Sequence, residues 1–194
     1  MPLTPIRISG KNLGQLALVA DFCKRCFWLK LHCQQRLPYQ LFPGVFSSID
    51  SLSKKLTAAH FRRYDRAPQW FRELGELKEL VAVPHHSKFQ VMDEPTGILL
   101  TGAPDDIVRK ANGSLLVLDY KTSRFTENQD SLLPLYRIQL NSYAFICERI
   151  GMGNVSALAL VYYEPVTDVD ADSIDSVLHD DGFDLPHMTA QNLE

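Results

Sequence analysis

Basic residues are missing from the last part of this chain. From Glu164 to Glu194 there is no lysine or arginine, while nine residues are acidic. Residues 1–163 therefore carry a net charge of +6 within a whole-chain charge of −3. This asymmetry predicts a mildly basic body, compatible with a polyanionic partner, followed by an acidic tail over 168–194. Long apolar runs are missing too. None approaches the roughly 18–20 residues of a membrane helix, so no membrane partner is expected. The opening Met1-Pro-Leu-Thr-Pro-Ile has no charged segment leading into an apolar one, so no secretory signal is expected. Cysteine is sparse: Cys23, Cys26, Cys33 and Cys147 fit a reducing compartment, taken as the cytoplasm, better than a disulfide framework.

What is present is ordinary in bulk. A hydrophobic content of 45% with 22% charged residues describes a globular chain, and the length suits one domain, placed at 1–167. Leu13, Leu16, Ala17 and Ala20 predict a helix from Ser9 to Gln35, extended by Phe27, Trp28 and Leu31. A second helix is expected over Ser47 to Arg66, capped by Ser51 or Ser53, and a third, short one over Gln69 to Leu80. The middle of the chain then becomes strand-like at Lys88–Met92, Ile98–Thr101, Asp106–Arg109 and Ser114–Leu118. Pro134 to Ile150 reads as an amphipathic helix closed by Gly151, and Val155 to Tyr163 as a buried strand. A strand, a long helix and another strand form a βαβ-like unit, giving an α/β layered domain with a small mixed sheet and N-terminal helices.

Chemistry concentrates at the end of one strand. In Ser114-Leu-Leu-Val-Leu-Asp119-Tyr120-Lys121, alternation places Asp119 and Lys121 on one face with Tyr120 opposite. Asn112-Gly113 between two strand-like runs predicts a two-residue hairpin. That hairpin brings Asp105 or Asp106, at the start of one strand, beside Asp119 at the end of the other. Carboxylates that hold one or two divalent cations, with a lysine to stabilise charge on phosphate oxygens, suit hydrolysis of a phosphodiester.

Three motifs in order carry a resemblance: Gly102-Ala-Pro-Asp105, Asp119-Tyr120-Lys121 and Gln139-Leu-Asn-Ser-Tyr143. Together they resemble the PD-(D/E)XK nuclease superfamily, and more narrowly its RecB-type branch, which includes nucleases of CRISPR adaptation. Cys23-Lys-Arg-Cys26-Phe-Trp28 is similar to a segment often found near the N-terminus of such domains. The likeness spans about Ser9 to Pro165. It implies a three-layer α/β/α restriction-endonuclease-like core and a Mg²⁺- or Mn²⁺-dependent, exonuclease-like enzyme. The substrate implied is single- or double-stranded DNA, in repair, recombination or defence, with a protein partner in such a complex. Asp105, Asp119 and Lys121 are the implied catalytic residues. Asp105, Asp119 and the backbone carbonyl of Tyr120 are the implied metal ligands, with Gln139 and Tyr143 supporting them or contacting DNA. Asp106 is the alternative to Asp105. Relatives often add a ligand from an upstream helix, for which His60, Glu73, Glu76, Glu79 and His85 are candidates. Some RecB-type relatives hold an iron–sulfur cluster on one early and three late cysteines, but here no cysteine follows Cys147. Cys23 and Cys26 lie in an apolar helical stretch, which weighs against a cluster or zinc on the four cysteines. The alternative reading is a catalytically inactive DNA-binding or adaptor module of the same fold.

Overall fold

The structure, a computed structural model, describes residues 5–18, 22–32, 43–123 and 131–163, with strands at 178–179, 182–183 and 189–193. Cys33 and the parts of the expected first helix at 19–21 and 33–35 lie outside the described residues. So does most of the acidic segment.

In chain order the elements begin with β1 (Ile6–Ser9), α1 (Gly10–Gly14), a 3₁₀ turn (Gln15–Ala17), α2 (Lys24–His32) and α3 (Gly44–Tyr64). A second 3₁₀ turn (Gln69–Leu74) leads to β2 (Leu77–Val81), β3 (Gln90–Asp93), β4 (Ile98–Thr101), β5 (Asp106–Lys110) and β6 (Leu115–Lys121). Then come α4 (Leu133–Arg149), β7 (Val155–Tyr162), β8 (Leu178–His179), β9 (Gly182–Phe183) and β10 (Thr189–Leu193). The main sheet is mixed, in the order β10-β7-β6-β5-β2, and only β6 and β7 run parallel within it. A smaller sheet, β1-β4-β3, and a two-stranded β8-β9 ribbon complete the strands.

β6 explains the layering. Six of its seven residues are buried, so both faces are covered, and Leu115–Leu118 is a continuous apolar run rather than an alternating one. Leu115 and Val117 point into a core shared with Leu140, Tyr143 and Ile146 of α4. Leu116, Leu118 and Tyr120 point into the opposite core, with Phe61 of α3 and with Phe71 and Leu74 of the second 3₁₀ turn. Helices thus cover both faces of the sheet, giving the α/β/α class expected from the sequence. α4 crosses between the parallel neighbours β6 and β7, starts with a proline in its first turn and ends before Gly151 at φ 79°.

The N-terminal region departs from a single helix over Ser9 to Gln35. Ile6–Ser9 is a strand parallel to β4, and the Ser9 hydroxyl caps α1 by accepting from the Asn12 N–H at 3.1 Å. Nor is Gln69 to Leu80 helical throughout. Gly75 at φ 85° ends the 3₁₀ turn, and Leu77–Val81 pairs antiparallel with β5. Ser51 and Ser53 do not cap α3, which starts at Gly44 after Pro43; the Ser53 hydroxyl donates back to the Ile49 carbonyl. The β5–β6 connection is longer than two residues. Lys110 N–H donates to the Ser114 carbonyl, with Ala111, Asn112 and Gly113 (φ 86°) between them, the pattern of a three-residue loop with a glycine in the left-handed position. Within the acidic segment, β10 adds an edge strand antiparallel to β7. Among the described residues no helix is long and apolar enough to cross a membrane.

α1 meets α4 through its glycines. A Cβ on Gly14 would lie 2.5 Å from the Leu135 carbonyl oxygen, a backbone atom that cannot swing away. Gly14→Ala should therefore lower stability by about 1–3 kcal/mol in urea or thermal unfolding. Gly44→Ala, which meets nothing within 4 Å, should be neutral or slightly stabilising. Equal effects of the two substitutions would contradict this account of the α1–α4 contact.

Candidate active site

The β5–β6 hairpin sets Asp106 opposite Leu118 in register, which places Asp105 across from Asp119. Asp105 N–H donates to the Leu118 carbonyl, and Tyr120 N–H donates back to Asp105 Oδ2 at 2.6 Å. The carboxylate of Asp105 is thus held by the backbone of β6. Tyr120 N–H and the Leu118 carbonyl both face β5, so strand alternation directs the Tyr120 carbonyl to that same side.

Asp119 points the other way across the sheet, toward α4, and is only 5% exposed. Gln139 Nε2 donates to Asp119 Oδ1 at 2.8 Å and lies 3.1 Å from the Tyr143 hydroxyl. Asp119 Oδ2 forms an ion pair with the Lys121 ammonium and has no further hydrogen-bond partner. Gln139 Oε1 is buried without a partner. The Lys121 ammonium also lies 4.2 Å from the centre of the Tyr136 ring, a cation–π contact that restricts where it sits. Gly102 completes the wall. A Cβ there would fall 2.6 Å from Tyr143 Cδ1, so only glycine lets the ring close over this end of the strand.

α3 brings a residue that the motifs did not single out. Lys54 Nζ lies 2.7 Å from Asp105 Oδ1 and 2.8 Å from Asp50 Oδ2. In sequence Lys54 is one of two adjacent lysines on an amphipathic helix. Its only signal is that it borders the buried stripe Ser53, Thr57 and Phe61. Tyr136 was missed for a similar reason: it falls in the first turns of α4 outside the Gln139–Tyr143 spacing.

The electrostatics show carboxylates crowded away from water. Burial pushes the Asp105 carboxyl above the usual range, and the nearby charge of Asp119 adds to this, with Lys54 and the Tyr120 N–H opposing. Burial raises Asp106 to about 6 even though it accepts a hydrogen bond from the Tyr120 hydroxyl. Burial, then the Asp119 charge, lifts the Tyr143 hydroxyl to about 12. Burial opposes the charge on Lys54, but its bonds to Asp105 and Asp50 outweigh this and raise its pKa.

The other candidates are engaged elsewhere. Asp106 shares the side of β5 that carries Val108, facing the α3 layer and the Tyr120 hydroxyl, whereas Asp105 lies at the strand start against β6. His60 Nδ1 is 3.2 Å from the Arg66 carbonyl oxygen, and its ring packs on Tyr64 and Trp70. Glu79 pairs with Arg109, Glu73 with Arg72, and His85 contacts Ser87 and stacks on His86. Glu76 contributes its carbonyl to Ala111. Among the described residues no group of three or more His, Cys, Asp or Glu side chains is placed to hold a metal ion. Cys23 accepts from the Cys26 N–H, while Cys147 is buried in the α4 core, so these three cysteines do not assemble one site.

The end of the hairpin thus offers two carboxylates, each already paired with an ammonium, the Tyr120 carbonyl on the β5 side, and a buried amide oxygen on Gln139. All are hard oxygen donors, and the acids repel one another. This donor set fits Mg²⁺ or Mn²⁺, which keep several waters and need only one or two protein carboxylates. A cavity of about 600 Å³, lined by Ile8, Val91, Leu100 and Phe145, lies against the small sheet and not at these acids.

The family model of the PD-(D/E)XK nuclease superfamily matches residues 27–184, a span that includes α3, the β5–β6 hairpin, α4 and β7. The chain belongs to the PD-(D/E)XK nuclease superfamily. No significant match to a curated protein accompanies it. Members of this superfamily are generally nuclease hydrolases that bind nucleic acid and typically use divalent metals such as Mg²⁺.

The Asp106 pKa gives a pH test. A carboxyl with a pKa of about 6 folded and 3.8 ordinarily binds more protons in the native state between those values. Its contribution to stability is therefore greatest below pH 4 and is lost as pH rises through 6. Asp106→Asn, which keeps an acceptor for the Tyr120 hydroxyl, should raise stability at pH 7 by about 2–3 kcal/mol and leave it nearly unchanged at pH 4. Urea unfolding across pH 4–7 reads this directly. Asp105 shifts in the same direction, so the variant should keep a shallower slope. An unchanged slope would refute the burial assigned to Asp106.

Proposed function

We propose that this chain is a Mg²⁺- or Mn²⁺-dependent nuclease that hydrolyses DNA phosphodiester bonds. We assign it to the RecB-type branch of its superfamily, with an exonuclease-like role in repair, recombination or defence. The observation that carries this reading is the shared end of β5 and β6, where Asp105 lies across from Asp119, and Asp119 pairs with Lys121 and accepts from Gln139 of α4, which itself bonds to Tyr143.

The division of labour follows from the contacts. Asp105 and Asp119, with the Tyr120 carbonyl, are the ligands for the cation. When bound, that cation supplies positive charge opposite the phosphate and makes a nearby water more acidic. Gln139 fixes the rotation of the Asp119 carboxylate by donating to Oδ1. Lys121 is the mobile charge: its ammonium can leave Asp119 Oδ2 for a phosphate oxygen and hold the negative charge that builds as water adds to phosphorus and one P–O ester bond breaks. Tyr136 keeps that ammonium over its ring. Tyr143 closes the site against Phe89 and Gly102.

One observation favours the second reading, a DNA-binding module without catalysis. Among the described residues no group of three or more His, Cys, Asp or Glu side chains is placed to hold a metal ion, and a lysine already pairs with each of Asp105 and Asp119. Metal-dependent cleavage separates the two. The purified protein with Mn²⁺ should degrade linear DNA, and Asp119→Ala or Lys121→Ala should each lower the rate at least about a hundredfold. Both variants should keep salt-sensitive DNA binding. DNA binding by the parent protein with no cleavage of single- or double-stranded substrates in Mg²⁺ or Mn²⁺ would establish the non-catalytic reading.

A further inference from the structure

Lys54 has no role in the motifs, yet it makes the closest contact that α3 contributes to the candidate site. Its ammonium bridges Asp105 Oδ1 on the sheet and Asp50 Oδ2 one helical turn earlier. The two partners differ in kind. Asp50 and Lys54 share α3 at an i,i+4 spacing, so their pair survives any change at the sheet. Asp105 is the residue proposed above to ligate the cation. A divalent ion on Asp105 and an ammonium 2.7 Å from the same carboxylate repel each other strongly in a half-buried setting.

The charge count of the cluster leads to the same exchange. Asp50 and Asp105 share Lys54, while Asp119 pairs with Lys121, so three carboxylates meet two ammonium groups. A divalent cation on Asp105 takes the place of one of Lys54's two acids and leaves it the other. Asp50 provides this, since the side chain can withdraw from Asp105 and stay paired.

We infer that Lys54 is a positioning residue that holds Asp105 in the cation-free protein and is handed to Asp50 when a divalent cation takes its place. The inference rests on the assignment of Asp105 as a ligand, though not on cleavage. Lys54 therefore competes with the metal, and Asp50 sets how well it competes. It also leaves a positive charge beside the site at the moment that an anionic phosphate would arrive.

Calorimetric titration of the full chain with Mn²⁺ alone tests this. Lys54→Met should tighten Mn²⁺ binding about tenfold, whereas Lys54→Arg, which keeps the charge, should not. Asp50→Asn should weaken binding several-fold, because Lys54 then has Asp105 as its only acid. The deciding comparison is the double variant: in the Lys54→Met background, Asp50→Asn should change affinity by less than about twofold, because its effect acts through the lysine. If Asp50→Asn weakens binding equally in both backgrounds, the effect is a plain charge effect and the handover is wrong. Unchanged or weaker binding in Lys54→Met, or no binding in any variant, also overturns it. Lys54→Gln serves if Lys54→Met does not fold. A parent protein that binds Mn²⁺ but cleaves nothing defeats the nuclease reading and leaves this comparison intact.

Discussion

The rest of the site is arranged around one buried charge. Asp119 stands near the end of a strand covered on both faces, with about a twentieth of its surface exposed. A carboxylate in such a place costs several kcal/mol unless its oxygens are met. Each neighbour can be read as a response to that cost. Gln139 must turn inward from α4 to donate to Oδ1, although an amide is a poor core residue and its own Oε1 is left without a partner. Fixing Gln139 fixes the rotation of α4 about its axis. Tyr143, one turn later, then lies over Gly102, where a side chain would not fit. Lys121, two residues along the same strand, reaches Oδ2 because alternation returns it to the same face.

The same hairpin also separates two adjacent acids. Asp105 sits at the strand start, where the backbone of β6 donates to it, while Asp106 points into the other layer and takes the Tyr120 hydroxyl. Tyr120 therefore serves both: its N–H holds one acid and its hydroxyl holds the other. This arrangement keeps Asp105 available at the sheet edge, while Asp106 is committed to the core beneath α3. It also explains why the Gly-x-x-Asp spacing, and not simple proximity to the turn, selects the residue beside Asp119.

Much of this was legible in the sequence, because strand alternation and hairpin register are local rules. Asp119 and Lys121 on one face, Asp105 across from them, and Gln139 with Tyr143 a turn apart all follow from spacing. The layered α/β class followed from the apolar run of β6 and the amphipathic α4, and its three-layer form from the resemblance. The failures are equally physical. Ile6–Ser9 pairs with β4, almost a hundred residues later in the chain, a contact that no local pattern reports. The reading of Gln69 to Leu80 as a helix failed because the strand Leu77–Val81 depends on pairing with β5, and Gly75 at positive φ ends the 3₁₀ turn before it. Lys54 was invisible because its partner lies fifty-one residues away, and a lysine on a helix face is normally just solvated.

These misses share a consequence for function. Local rules placed the acids and Lys121, but the remaining contacts came from long-range packing: Lys54 from α3 and the Tyr136 ring from α4. An Asp105 carboxyl raised in pKa by burial and by the nearby charge of Asp119 is a strained arrangement, and any bound cation that relieves the strain gains affinity from it. The fold thus holds two buried acids at the end of one hairpin and pairs each with an ammonium. Stability in the free protein and affinity for metal are then drawn from the same crowding. A substitution that relaxes the acids should strengthen the fold and weaken the site together, the trade expected of a centre built for chemistry rather than for packing.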